Sequence, residues 1–116
     1  MAVNAAFMQA GAAAQATAFP YISIHTAQPS AAGSNESLAA RKSAGWTTSN
    51  GVLTTAAGGI AFTGGAASGP ATYWGLWSSL TAGTFGGWVQ ITSGDVSFNA
   101  AGQYTLNAST ITPTAS

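Results

Sequence analysis

The first apolar-rich stretch predicts a helix over residues 4–17. Ala, Met and Gln are favourable helix formers, and Asn4 suits the N-cap position. One stripe at helical spacing consists of Val3, Phe7, Met8, Gly11 and Ala14. Such a stripe is typical of a helix packed on its own domain, although docking on a neighbouring subunit fits the same pattern.

A short alternating segment follows Pro20 and predicts the first strand over residues 21–26. Ile22 and Ile24 share one face, whereas Tyr21, Ser23 and His25 share the other. Pro29 and Gly33 then open a segment rich in small residues. We expect a long loop over residues 27–43, with one helical turn near residues 36–42.

From residue 45 to the end, the pattern is that of short strands separated by turn residues. β-Branched or aromatic residues mark the runs 51–55, 60–63, 72–78, 85–91, 96–98, 104–106 and 109–112. This spacing indicates a sandwich or a barrel. The sequence therefore predicts a single, mainly β domain over residues 1–116. We expect a compact antiparallel β-sandwich or barrel of about seven or eight short strands with one N-terminal α-helix.

Large aromatic residues fall on both faces of the predicted strand 72–78. Tyr73 and Trp77 share one face and Trp74 lies on the other, while Trp88 belongs to the next strand. Interfaces between subunits favour Trp and Tyr. These four residues are candidate interface residues, and a crowded core is the alternative interpretation.

Charged residues make up only 3% of the chain, and its net charge is zero. Ordinary soluble domains contain about 25% charged residues. A neutral surface offers little protection against association, so it is typical of a chain packed into an assembly. Two basic residues are too few for nucleic-acid phosphates or an anionic membrane surface. The chain has no run long enough to span a membrane and no signal-peptide pattern, so we expect synthesis in a cytoplasm.

The inventory of reactive residues predicts a protein that is not an enzyme. A Ser-His-Asp triad would draw on His25 and Asp95, but no G-x-S-x-G motif is present. A glycosidase pair would require Glu36 and Asp95 to meet in one cleft. One His, two carboxylates and no Cys are too few for a zinc site. We therefore predict no catalytic, cofactor-binding or metal-ligating residues.

The rare polar residues around the long loop predict a structural clamp. An imidazole can bridge two backbone groups, and Asn or Glu can do the same from the other end of a loop. Glu36 and Arg41 are five positions apart, so a direct pair requires a bend between them. We expect His25, Asn35, Glu36 and Arg41 to fix the loop together, with residues 27–40 of the loop as a candidate docking surface.

The same segment resembles a family of small virion proteins of tailed phages, especially phages of actinobacteria. The segment YISIHTA at residues 21–27, followed by Pro29, Gly33, Asn35 and Glu36, is similar to the family motif LHTADPG..G.NE. Further matches are Ala40-Arg41, Trp46, Gly75-Leu76-Trp77, residues 82–87 and residues 101–106. Gln28 stands where the family usually has an acidic residue. The resemblance covers most of the chain.

The resemblance implies a non-enzymatic virion component, described in the family as a capsid decoration, minor capsid, head fibre, minor tail or tail fibre protein. Our first expectation is a decoration protein on the capsid surface that binds the assembled major capsid protein and self-associates. The alternative is a protein associated with the tail or tail fibre, with tail proteins as partners. A carbohydrate- or receptor-binding module is a further alternative, with Trp74, Trp77 and Trp88 as stacking residues.

Overall fold

The computed structural model describes the backbone of residues 5–112 and the side chains of residues 11–112. One helix, α1, spans Ala5–Ala18, close to the predicted 4–17. Nine strands follow it in the described residues: β1 Tyr21–His25, β2 Lys42–Ser43, β3 Thr47–Ser49, β4 Val52–Thr54, β5 Ile60–Phe62, β6 Tyr73–Trp77, β7 Phe85–Gln90, β8 Tyr104–Leu106 and β9 Thr110–Ile111. The predicted mainly β fold with one N-terminal helix is confirmed.

The strands form three antiparallel sheets that pack together without closing into a barrel. The largest sheet has four strands in the order β2-β1-β6-β7. A three-stranded sheet has the order β3-β4-β9, and β5 pairs with β8. Of the two predicted architectures, the sandwich-like one is therefore found, with nine short strands.

The core lies between the four-stranded sheet and the smaller sheets. Ile22 and Ile24 of β1 and Trp74 of β6 point to the same side, because directly paired residues share a face. They pack in one cluster with side chains from β5, β8 and the connecting segments: Ile60, Phe62, Ala71, Ile91, Phe98, Tyr104 and Leu106. This side of the sheet is called the core face below.

The opposite side of the four-stranded sheet, called the loop face below, carries Ser23, His25, Gly75, Trp77 and Phe85. It is covered by the chain between β1 and β2, called loop 27–40 below. Strand β1 is therefore buried on both faces at its centre. Because both sides of β1 and β6 are covered, the sheet resembles a central layer rather than the wall of a simple two-layer sandwich.

Several local predictions were wrong. Residues 42–43 belong to strand β2 rather than to the loop, because they pair with Tyr21 and Ile22. The predicted helical turn at 36–42 is absent, since Glu36 forms a β-bridge with His25. Residues 96–98 make only a single bridge, to Pro70, rather than a strand.

The exposed side of helix α1 also differs from the prediction. Gly11 and Ala14, assigned to the packed stripe, are exposed, whereas Ala12 is buried. The helix packs on β3 and β4. Val3 lies outside the described residues, and the side chains of Phe7 and Met8 are likewise outside them.

Candidate functional site

Loop 27–40 rests directly on the aromatic rings of the loop face. A Cβ atom placed on Gly33 would lie 2.6 Å from Cζ2 of Trp77 and 2.9 Å from Cδ1 of Phe85. Gly33 also has a φ of +79°, a conformation that favours glycine. The loop backbone can therefore approach the rings closely only because residue 33 has no side chain.

His25 connects the sheet to this loop through both of its ring nitrogens. Nδ1 lies 2.8 Å from the backbone oxygen of Ser34, and Nε2 lies 2.6 Å from Oγ of Ser23. A carbonyl oxygen can only accept, so Nδ1 carries the proton. In the neutral ring, Nε2 is then the acceptor, and the hydroxyl of Ser23 donates to it.

Trp77 extends this chain of hydrogen bonds. Its Nε1–H donates to Oγ of Ser23 over 2.8 Å, while Ser23 donates onward to His25. The bonds therefore run in one direction from the indole through the hydroxyl and the imidazole to the loop carbonyl. Ser23 and His25 are both 0% exposed, so water cannot reach their polar atoms and these bonds satisfy them instead.

Burial favours the neutral form of His25. Desolvation lowers the pKa of His25 below its ordinary value of 6.5, because the charged imidazolium is disfavoured away from water. The hydrogen bond to Ser34 and the charge of Glu36 act in the opposite direction, and Arg41 again lowers the pKa. The neutral ring agrees with the tautomer required by the hydrogen bonds.

Arg41 ties Glu36 of loop 27–40 to the loop between β6 and β7. Its Nε and Nη2 atoms donate to the two carboxylate oxygens of Glu36 over 2.9 and 3.0 Å. Its Nη1 atom donates to the backbone oxygens of Ser79, at 2.9 Å, and Ala82, at 2.8 Å. Both residues lie between β6 and β7. The guanidinium also stacks 3.5 Å above the ring of Trp77. Such a planar, five-donor group is suited to hold several acceptors at once.

Asn35 acts within the loop rather than on the sheet side chains. It has a φ of +61°, and its Nδ2 atom donates to the backbone oxygen of Gln28 over 3.2 Å. Its own backbone oxygen accepts from the amide of Thr26 at 2.9 Å. The structure thus brings His25, Glu36 and Arg41 around one stretch of sheet, while Asn35 shapes the loop beside them.

The Ser23–His25 pair has the spacing of a nucleophile and a base, but not its accessibility. Both side chains are sealed beneath the loop, and the serine oxygen also holds the indole proton of Trp77. Asp95 is exposed on a segment whose backbone oxygen accepts from the hydroxyl of Tyr104. No carboxylate completes a triad with His25, because its Nδ1 atom bonds a backbone carbonyl.

The described residues contain no cluster of side chains that could bind a metal ion. No three His, Cys, Asp or Glu side chains of residues 5–112 lie close enough to hold a metal ion. Within the same range, no helix is long and apolar enough to cross a membrane.

Two of the four candidate interface residues are core residues, so that part of the prediction was wrong. Trp74 is 1% exposed on the core face, where its ring packs 6.3 Å from the ring of Trp46. Trp77 is 6% exposed beneath loop 27–40 and Arg41. Both faces of β6 are therefore covered by the chain itself. Neither tryptophan can meet a partner or stack on a sugar.

Tyr73 and Trp88 remain at the surface. The two rings meet edge to face with centroids 5.3 Å apart, and Trp88 is 41% exposed. Other large apolar side chains exposed in the described residues are Leu38, Leu80 and Val96.

Sequence reasoning missed several members of the clamp. Ser23 lies two positions before His25 in a strand, so alternation could have placed it beside the ring. Ser34, Ser79 and Ala82 contribute backbone oxygens, for which no side-chain signal exists. Gly75 is the floor of the cluster, since a Cβ there would lie 2.6 Å from Phe85 and 2.8 Å from Nε2 of His25.

Comparison of the sequence with protein-family models found no match, and comparison with curated proteins found none either.

Proposed function

We propose that this chain is a non-enzymatic structural protein of a phage virion, acting as a capsid decoration protein. It would bind the assembled major capsid protein on the capsid surface and reinforce the lattice. The observation that carries the proposal is that residues of the segment resembling the phage family stabilise the conformation of a loop. His25, Glu36 and Arg41 all hold a loop in place: His25 bonds the backbone of Ser34, and Arg41 uses both carboxylate oxygens of Glu36 for its ion pair.

A loop held in one conformation is suited to binding a fixed partner. A loop that is already ordered loses less conformational entropy when it binds, so preorganisation strengthens association. Loop 27–40 carries Leu38, whose side chain is 79% exposed although it lies in a well-anchored segment. We take this loop as the surface that meets the major capsid protein, with Leu38 as its apolar contact.

The nearly uncharged surface supports the same role. Glu36 and Arg41 neutralise each other, which leaves Lys42 and Asp95 as the remaining charged side chains. An interface of standard size buries about 1,600 Å², which at about 25 cal/mol per Å² gives ample gross burial before the costs of association. Many copies on one shell would add avidity, and self-association around the capsid axes would extend the contact.

Copy number per particle is the direct test of location. We expect the protein to be present in proportion to the major capsid protein when purified virions are separated on a quantitative gel. A small fixed number of copies per particle would instead favour the minor tail or tail-fibre protein. Absence from purified virions would refute both.

Binding to empty capsids tests the proposed surface. A Leu38→Ser variant should lose most of its co-sedimentation with capsids that lack the protein. Val96→Ser is the matched control, since Val96 is 52% exposed but belongs to the segment between β7 and β8 rather than to loop 27–40. Equal loss in both variants, or loss in neither, would refute loop 27–40 as the docking surface.

The exposed Trp88 favours one other candidate function, a carbohydrate-binding module. Trp88 is 41% exposed and its ring meets that of Tyr73 edge to face, and an exposed indole is suited to stacking on a sugar ring. Glycan-array binding by the purified protein that is abolished in Trp88→Ala would favour this function. Absence of glycan binding would leave decoration as the better account.

A further inference from the structure

Strand β7 forms an edge of the largest sheet that no other strand of the described residues pairs with. It is the last strand in the order β2-β1-β6-β7, and it is six residues long. Strand β2, at the opposite edge, has two residues. An edge strand presents a row of backbone N–H and C=O groups that can pair with a further strand. The β7 edge is therefore the longer of the two edges at which this sheet could be extended.

The backbone groups that face outward from β7 are those of Trp88 and Gln90. The amide of Ile91 donates over 2.8 Å to the oxygen of Thr72, the residue before β6. In an antiparallel pair, alternate residues of a strand direct their backbone groups to the same neighbour. Val89 and Ile91 therefore bond the side of β6, whereas Trp88 and Gln90 direct their backbone groups away from it.

The same edge is open to solvent. Gly86, Trp88 and Gln90 are exposed, and in Gly86 the exposed surface is the backbone itself because glycine has no side chain. A β-bulge can twist an edge away from partners, but the one here lies where Leu76 and Trp77 face the first half of β7. The second half of β7 pairs regularly with β6 and keeps the geometry that a further strand requires.

The β7 edge also lacks the residues that commonly protect an edge strand. Charged side chains and proline discourage pairing at an edge, and β7 contains neither. Strand β2, by contrast, begins with Lys42. Because β7 carries no charge, two copies of the chain can approach each other at this edge without repulsion between like charges.

We propose that β7 pairs antiparallel with β7 of a second copy of this chain, so that the two four-stranded sheets join into one continuous sheet. With the two-fold axis at Val89, Trp88 of each copy lies opposite Gln90 of the other. Each of these pairs exchanges two backbone hydrogen bonds, since both residues direct their groups outward. The inference rests on the proposed function, because it names the surface for the self-association that was included there.

A second copy would also cover the exposed ring beside this edge. Trp88 pairs with Gly75 and Gln90 pairs with Tyr73, so both side chains lie on the loop face. Side chains directly opposite each other in antiparallel strands have their Cβ atoms about 4.5–5.5 Å apart. The stem of Gln90 from the second copy would therefore lie against the indole of Trp88, which is 41% exposed in the single chain. One contact thus supplies partners for the outward backbone groups and cover for the ring.

The dimer should be weak in solution, because the contact is short. Three residues at about 3.4 Å per residue span about 10 Å. Interfaces that bury less than about 1,200 Å² are typical of transient association. Copies held side by side on a shell have a high effective concentration, which favours the pairing there.

Hydrogen exchange of the full chain at low and high protein concentration tests the pairing amide by amide. The amides of Trp88 and Gln90 should exchange about fivefold more slowly when the protein concentration is about tenfold above the dissociation constant of the dimer. The amides of Val89 and Ile91 should exchange slowly at every concentration, because they bond the side of β6. This alternation is specific to an added strand, since side-chain packing does not select every second amide.

Two results would overturn the proposal. One is exchange of the Trp88 and Gln90 amides that does not depend on protein concentration up to about 1 mM, which would leave the association too weak to matter. The other is protection that appears with concentration in another part of the chain and not at these two amides.

The Gln90→Lys variant tests the same edge by sedimentation. It would place the lysines of the two copies about 7–8 Å apart across the axis, so the dissociation constant should rise by at least about tenfold. Gln15→Lys is the matched control, because it makes the same change of charge at an exposed position of helix α1. It should dimerise as the wild type does. Equal weakening in both variants would assign the effect to net charge and overturn the proposal.

Failure of this inference and failure of the proposed function give different results. A chain that binds empty capsids but shows no concentration-dependent protection in β7 would overturn the pairing and leave the decoration function intact. A chain that shows the alternating protection but is absent from purified virions would support the pairing and refute the decoration function.

Discussion

Replacing Arg41 by Lys is the sharpest test of the clamp, because it keeps the charge and removes the geometry. The guanidinium makes four hydrogen bonds, two to Glu36 and two to backbone oxygens between β6 and β7. It also covers the ring of Trp77 at 3.5 Å. A lysine ammonium has its donors on one atom, so it cannot reach both sets of acceptors while stacking on the ring.

The expected loss follows from these contacts. Glu36 is 28% exposed and Arg41 8% exposed in their side chains, so solvent screens the pair and we assign it about 1 kcal/mol. The bond to the part-buried Ser79 oxygen contributes about 1 kcal/mol, and stacking on Trp77 contributes about 1 kcal/mol. The exposed Ala82 oxygen can bond water instead. Because a lysine can keep one of these contacts, we expect Arg41→Lys to lower the free energy of unfolding by about 2 kcal/mol.

Urea denaturation followed by far-ultraviolet circular dichroism measures this loss. For a domain of this size, the melting temperature should also fall by about 10 °C. Lys42→Arg is the matched control, because it exchanges the same two residue types next to Arg41. The Lys42 side chain makes no hydrogen bond or ion pair with a described residue, so we expect a change within about 0.5 kcal/mol. An equally small change in Arg41→Lys would refute the clamp as a source of stability.

Three further changes test the rest of the loop face. Gly33→Ala should lower the free energy of unfolding by about 1–3 kcal/mol in urea denaturation, because the new methyl group would clash with Trp77 and φ at this position is positive. An unchanged free energy of unfolding would mean that the contact between the loop and the ring does not stabilise the fold. Trp77→Phe should lower the free energy of unfolding by about 2–3 kcal/mol in urea denaturation, because Ser23 loses its buried donor and the ring becomes smaller. The control Trp88→Phe, at an exposed position, should change it by under about 0.5 kcal/mol. Equal effects of the two changes would contradict the burial of Trp77. The free energy of unfolding should fall as the pH drops below 6.5, because His25 has a lower pKa in the folded than in the unfolded chain, so the unfolded chain binds more protons. A His25→Gln variant should lose this pH dependence between 6.5 and the lower pKa of folded His25.

The strands were predictable where the sequence alternates or carries a run of aromatic residues. Strand β1 was expected from alternation and strand β6 from its aromatic residues, and both occupy the centre of the largest sheet. Strands β2 and β3 were missed because they are two or three polar residues long and owe their conformation to their neighbours. The pattern of a short polar run does not distinguish an edge strand from a loop.

The covering of β6 could not be derived from the sequence. Large residues on both faces of a strand indicate that both faces are buried, but they do not identify what buries them. Another subunit and the protein's own loop were both compatible with Trp74 and Trp77. The loop is the answer for Trp77 because Gly33 and Gly75 remove side-chain volume on either side of the rings. That complementarity exists only between residues far apart in the sequence.

The pairing of Glu36 with Arg41 shows how much of the clamp was accessible in advance. Their spacing of five required a bend, and the structure contains one between the bridge of Glu36 to His25 and the start of β2. The acceptors beyond Glu36 are backbone oxygens, which every residue carries, so no residue type points to them. The titratable partners in the clamp were therefore predictable, and its attachment points were not.

Loop 27–40 is held by an unusual number of side-chain hydrogen bonds, which bears on its function. Ordering each loop residue costs about 1–2 kcal/mol of backbone conformational entropy. Here that cost is offset by a buried imidazole and by a guanidinium with four hydrogen bonds, rather than by a long ladder of backbone bonds. A loop that served only to connect β1 with β2 could be shorter, since those strands are antiparallel neighbours. These contacts fix the outer shape of the loop, and a fixed shape supports the docking role proposed for it over that of a mobile connection.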